Sequence, residues 1–215
     1  MNMISIGINR KLAKDIPIFN LPAVLSCPVK SELCKKICYA KRTEVRRKNV
    51  AIHRINNYIA SLNPNFVENI NKKLKLLKKK YTIKYFRIHE SGDFYNQKYF
   101  NSWIKISKEN PDITFLAYTR NYKLNFNNLP ANFKVFISLD HTSKNINIIK
   151  KIIKKYNLKA SLIKPRDNID AYNKLKKQFN NYFICNKDHK FKYNYCGNLC
   201  KTCWNYKANI IFLQH

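Results

Sequence analysis

The chain has 215 residues, 45% of them hydrophobic, enough for one domain of ordinary size with a filled core. That content excludes a disordered basic tail. The 42 Lys and Arg against 12 Asp and Glu give a formal net charge of +30, a self-repulsion that favours a polyanionic partner. Nucleic acid is the first candidate, because cationic side chains release condensed counterions from phosphates. Codon drift in an AT-rich coding sequence is the competing source of the abundant Lys, Asn and Ile. No apolar run approaches the ~20 residues of a membrane span, and the start, MNMISIGINRKLAK, lacks the apolar region of a secretory signal. A reducing, cytoplasmic compartment is therefore expected, where the seven cysteines point to metal or redox chemistry rather than disulfides.

Residues 1–45 read as an irregular, Cys-containing segment punctuated by Pro17, Pro22 and Pro28. A helical region follows, interrupted at Pro64. Its first half aligns Ile52, Ile55, Ile59 and Leu62 on one face, and its second half aligns Val67, Ile70, Leu74 and Leu77. Strands and helices then alternate: strand 83–90, helix 97–109, strands 112–119 and 133–140, helix 145–156, strand 160–164, helix 171–179, and strands 182–185 and 208–213. This order predicts an α/β fold of right-handed βαβ units on a mainly parallel sheet. The units are too few for a full eight-fold barrel, so the expectation is a partial or shortened TIM-like (β/α) barrel. Residues 46–184 form the catalytic core in this reading. Residues 185–215 carry a Cys-rich metal site and the final strand, with all parts in one domain.

The cysteines fall into two groups. Cys185, Cys196, Cys200 and Cys203 supply four soft ligands, the number that closes a tetrahedral zinc site. Cys27, Cys34 and Cys38 supply three, and a three-thiolate site either borrows a ligand or leaves one metal position open for chemistry. Buried free cysteines are the alternative for both groups.

Residues just beyond the carboxyl ends of strands line the ligand cleft of α/β folds. His89, Glu90, Ser91, Gly92, Asp93 and Phe94 stand at the first such end, where Gly92 would let the backbone approach a ligand closely. Tyr118, Thr119 and Arg120 stand at the second, and Asp140 and His141 at the third. If the parallel strands are adjacent, these tips share one rim. Paired carboxylates there suit a nucleophile and a general acid or base, while Arg120 and the aromatics suit phosphate binding and base stacking. Helix or loop capping is the competing role for Asp93 and Asp140.

The segments CPVKSELCKKICYA, FRIHESGDF, YFNSWIKIS and ITFLAYTR, followed by a Cys-rich end, resemble the phage gene product 88 family over nearly the whole chain. The resemblance implies a phage source and hence the host-cell cytoplasm. ESGDF is also similar to the DSGGF segment of tRNA-guanine transglycosylases, whose phage relatives exchange guanine in DNA for a 7-deazaguanine base. That likeness implies a glycosyltransferase with a barrel, a C-terminal zinc site and two carboxylates. Glu90 matches the motif's carboxylate, Asp93 replaces its second glycine, and Asp140 becomes the candidate nucleophile. The implied partners are DNA, preferred over tRNA, and a 7-deazaguanine base, with no membrane. The N-terminal cysteines with SGD and ISLD strand ends look, alternatively, like a radical SAM enzyme holding an iron–sulfur cluster and S-adenosylmethionine. A zinc-stabilised, non-catalytic nucleic-acid-binding protein is the third reading.

Overall fold

The computed structural model describes residues 4–8, 12, 16–185, 196 and 200–214. The elements in chain order are β1 (Gly7–Ile8), β2 (Pro17–Phe19), α1 (Glu32–Ile37), α2 (Tyr39–Arg46), α3 (Lys48–Ser61), α4 (Phe66–Lys78), β3 (Tyr85–Ile88) and α5 (Gln97–Glu109). There follow β4 (Thr114–Thr119), β5 (Phe133–Leu139), α6 (Ile146–Lys155), β6 (Lys159–Lys164), α7 (Ile169–Lys176), β7 (Tyr182–Ile184), α8 (Thr202–Asn205) and β8 (Asn209–Leu213). Every strand and helix expected from residue 83 onward is present. The N-terminal segment is more regular than its prolines suggest, because it contributes two short strands and two helices.

The sheet has the order β1-β2-β3-β4-β5-β6-β8-β7. Seven strands, from β2 onward, run parallel; β1 alone is antiparallel, paired to β2. The edges, β1 and β7, do not pair with each other among the described residues. From β2 to β6 the spatial order follows the chain order. Right-handed crossovers between neighbours in such a series all fall on one side of the sheet.

The strand side chains divide accordingly. Phe133, Val135, Ile137 and Leu139 of β5 alternate onto the face that also takes Phe86, Ile88, Phe115, Ala117, Ala160 and Leu162. Phe66, Ile70 and Leu74 of α4, Trp103 of α5, Ile149 of α6 and Leu175 of α7 pack against them in the same core. Trp103 is fully buried and meets Phe19, Phe66 and Phe86 with ring centroids 5.4–5.7 Å apart. The opposite face carries a smaller cluster of Leu116, Phe136, Ile210, Trp204 and Cys185, flanked by Tyr85, Tyr118 and Cys203.

Helix α4 behaves as its pattern predicts, burying Ile70 and Leu74 with Val67 and Leu77 packed alongside. Helix α3 is inverted. Ile52, Ile55, Ile59 and Leu62 are 40–56% exposed, while Arg54, Asn57 and Ser61 are buried. Polar ties explain the inversion. Arg54 Nη1 donates to Glu44 Oε1 (2.9 Å) and to the Ala40 carbonyl (3.1 Å). Asn57 Nδ2 donates to the carbonyls of Ser5 and Asn20, both at 2.9 Å, and Ser61 Oγ meets the Tyr95 hydroxyl. Turning the apolar stripe inward would strand these groups, and an unpaired buried charge costs more than exposed aliphatic surface. Arg54→Ala should therefore lower stability by about 3 kcal/mol, because it leaves Glu44 uncompensated. Ile55→Ala should stay within about 0.5 kcal/mol of the parent. Urea unfolding of the two variants checks the difference.

Candidate functional site

The connection from β2 to α2 is laid across the carboxyl ends of the parallel strands and clamped at two points. At the first, Asn20 Oδ1 accepts from the amides of Glu90 (2.7 Å) and Ser91 (3.0 Å), directly after β3. Leu21 N donates to the Ser91 carbonyl, and Ser91 Oγ donates to the Leu21 carbonyl at 2.9 Å. Gly92 has φ +84°, and a Cβ there would come within 2.5 Å of Ser26 Oγ and 2.6 Å of Leu21 Cβ. The glycine is needed for this internal contact, a close approach the sequence reading did not foresee. Tyr39 also donates its hydroxyl to the Glu90 carbonyl (2.5 Å).

At the second point, after β5, Asp140 Oδ2 accepts from Ser31 Oγ (2.5 Å), and Thr142 Oγ1 accepts from Leu33 N (3.0 Å). Ser31 caps α1 by accepting from Cys34 N (3.1 Å), so Asp140 fixes the helix that carries Cys34. The two clamps hold Cys27, Cys34 and Cys38 over the rim formed by β3, β4 and β5. Burial is the main force that pushes the Cys27 thiol up to about 12, with Asp93, Cys34 and Cys38 adding to it. Cys34 is also raised by burial, against the opposing pull of the Arg120 guanidinium.

Asp93 and Asp140 share this rim with opposite electrostatics. Asp93 is buried; Oδ1 accepts from Phe94 N (2.7 Å) and Thr119 Oγ1 (2.5 Å), and Oδ2 from Arg120 N (2.8 Å). Burial outweighs those hydrogen bonds and raises its carboxyl to about 6. Asp140 is equally inaccessible, and burial alone would raise it too. Arg120 and the hydrogen bonds from Ser31 and Thr142 win instead, holding it below the usual carboxylate range. Arg120 Nη2 lies 2.8 Å from Asp140 Oδ2 in an ion pair whose N–H is not aligned as a hydrogen bond. Both oxygens of each carboxylate are therefore already engaged within the protein.

The other expected site residues divide between the two faces. His89 is buried on the helix side, at φ 58°, with Nε2 2.7 Å from the Tyr99 hydroxyl and its ring against Phe94. Burial lowers its pKa to about 3, so it stays neutral. Phe94 is core, packed edge-on against Phe100. Tyr118 lies on the opposite face, between the Arg87 guanidinium, 4.2 Å from its ring centroid, and the stacked ring of Phe136. His141 is half-buried beside Asp140, with Nδ1 buried and unpartnered. Glu90 contributes its backbone to the first clamp. Asn20, Ser31 and Thr142 were missed by sequence reasoning. Only Ser31, three residues before Cys34 at a helix start, carries a capping signal that could have found it.

Two of the second cysteine group lie on the face opposite α4 to α7. Cys185 and Cys203 pack in the cluster around Trp204. Burial pushes Cys203 up to about 12, with Tyr118, Cys185 and Cys196 among its neighbours. Cys200 Sγ lies 3.5 Å from Thr202 Oγ1. Neither cysteine group is drawn into a coordinating set: among the described residues no three His, Cys, Asp or Glu side chains stand in position to hold a metal ion. Among those residues no helix is long and apolar enough to cross a membrane.

Because the Asp93 carboxyl is raised on folding, its protonated form is the one the fold favours. The stability it contributes is complete below the ordinary carboxyl value of 3.8 and is lost as pH rises through about 6. Unfolding free energies of the parent and Asp93→Asn, measured across that window, should diverge with rising pH, the parent losing stability relative to the variant.

The family model for "Gene product 88" matches residues 3–206. "Gene 88 protein" of Mycobacterium phage L5 is 31% identical over 102 residues, covering 44% of this chain and 43% of that protein. "Gene 88 protein" of Mycobacterium phage D29 is 30% identical over 102 residues, covering 44% and 42%. The matched stretch thus spans less than half the length of either relative. No solved structure matches. With its cysteine loop, its SGD turn and its third strand tip all inside the matched span, the chain belongs to the gene product 88 family.

Proposed function

We propose that this protein is an enzyme acting on nucleic acid, with its reactive centre at Cys27, Cys34 and Cys38 on the carboxyl rim of the sheet. The observation that carries this reading is the double clamp, from Ser91 to Leu21 and from Asp140 to Ser31, which holds a three-cysteine loop where α/β enzymes bind their ligands. The donor set fits an iron–sulfur cluster in kind: three soft thiol ligands, partly withdrawn from water, with one position left for a further ligand. Together with S-adenosylmethionine, such a cluster supplies radical chemistry. Arg120, between Cys34 and Asp140, is the cation available to orient an anionic group at the rim. The packing of α4, α5, α6 and α7 on one face supports reading the sheet as an incomplete (β/α) barrel. In this account Cys185, Cys196, Cys200 and Cys203 form a separate zinc site that braces the opposite face.

Guanine exchange for a 7-deazaguanine base in DNA is the second reading. It is favoured by the Asp93 carboxyl at about 6, in the range suited to proton transfer. It has less support, because a nucleophile needs a free oxygen and both oxygens of Asp93 and of Asp140 are taken.

Protein purified without oxygen should be brown and contain iron and sulfide, and Cys27→Ala, Cys34→Ala or Cys38→Ala should each remove the colour. Colourless, zinc-only protein that releases guanine from DNA when given deazaguanine bases would replace this account with base exchange.

Support for the nucleic-acid partner comes from the net charge and from a groove beside α6. Lys150, Lys151, Lys154 and Lys159 line it with Asn147 and Gln178, and no acidic side chain is among its described lining residues. Replacing Lys150, Lys151 and Lys154 together by Ala should weaken DNA binding at all sequences. It should also flatten the slope of log affinity against log salt by about 2 to 3, read by fluorescence anisotropy.

A further inference from the structure

We infer that the outward face of α3 is a self-association surface, which pairs two copies of this chain across a two-fold axis. The inference does not rest on the proposed chemistry. Ile52, Ile55, Ile59 and Leu62 follow one another at intervals of three, four and three residues, the spacing of a helix-pairing seam. All four project into solvent. The seam cannot roll inward, because the buried side of the helix is bound by Arg54 to Glu44, by Asn57 to Ser5 and Asn20, and by Ser61 to Tyr95. A helix whose polar side is used inside and whose apolar side faces out has no partner for that side among the described residues.

The charge distribution says which partner. Roughly one residue in five of this chain is Lys or Arg, yet from Asn49 to Asn71 the only cation is Arg54, which is buried and paired. Apart from Lys48, one turn before Ile52 at the start of the helix, the seam is flanked by Asn49, His53, Asn56 and Asn63 rather than by lysines. An acidic partner would be met by cations here, as elsewhere on the surface, and a nucleic acid would need them. Two copies of a +30 chain, by contrast, approach most readily where exposed charge is sparse, as it is beyond Lys48 on this helix. An isologous contact brings like against like, so one uncharged aliphatic seam serves both sides. The interface is short, and the residual repulsion of the two copies opposes it. Dimerisation should therefore be concentration-dependent and strengthened by salt, the reverse of nucleic-acid binding.

Sedimentation equilibrium of the full chain at high salt tests this. The weight-average mass should rise with concentration from 25.6 kDa towards twice that value, and fall back to the monomer in Ile55→Lys and in Ile59→Lys. Both replaced side chains are solvent-exposed, so thermal unfolding of the diluted variants should match that of the diluted parent. A mass fixed at 25.6 kDa at every concentration overturns the inference. So does a dimer that survives both substitutions, since the contact then lies elsewhere.

Discussion

The candidate site depends on how one stretch of backbone, residues 20–38, is fastened to the tips of two strands, β3 and β5. The fastening is made by hydrogen bonds rather than by apolar packing. The side-chain carbonyl of Asn20 takes two amides, Ser91 and Leu21 exchange two bonds, and Ser31 links a helix start to a buried carboxylate. Each such bond adds only about 1 kcal/mol net, but leaving a buried partner unsatisfied costs more. The set therefore defines one position for the loop more sharply than it stabilises it. Gly92 completes the fit, since the loop rests where any side chain at that turn would have to be.

The fastening also assigns charge. Asp93 and Asp140 occupy one rim and are equally hidden from water, yet they are driven apart in acidity. Asp93 has neutral donors, which do not repay the loss of hydration. Asp140 has an arginine, which does. The rim thus places one carboxyl near neutrality beside Cys27 and one fully ionised carboxylate beside Cys34. This asymmetry is set by which residue follows each strand: Thr119 and the Arg120 backbone serve the first, and the Arg120 guanidinium the second.

Much of the sheet was legible in the sequence, because FKVFISL and TFLAYT are apolar on both faces, as strands of a parallel sheet must be. Helix α5 was found to the residue, since its apolar period and its Asn96 cap agree. The failures have physical causes. β2 is three residues long, too short for any period to show, and is defined by its pairing with β1 and β3. The direction in which α3 faces is decided by long-range bonds from Arg54 and Asn57, which a periodicity cannot report. At the site, the strand-tip rule located Asp93, Arg120 and Asp140 together. It could not foresee that the SGD turn grips the chain's own N-terminal segment, because that contact joins residues about 70 positions apart.

The placement of β8 between β6 and β7 has a kinetic corollary. β7 has no partner in the described sheet except β8, and β8 is the later of the two in the chain. During synthesis, residues 182–184 leave the ribosome with no neighbour to accept their backbone hydrogen bonds, and they stay unpaired until residues 209–213 follow. Strands β3 to β6 can assemble in order as they emerge, so the core beneath α5 and α6 closes first. The last two strands, and Cys185 and Cys203 with them, join as one late and cooperative step.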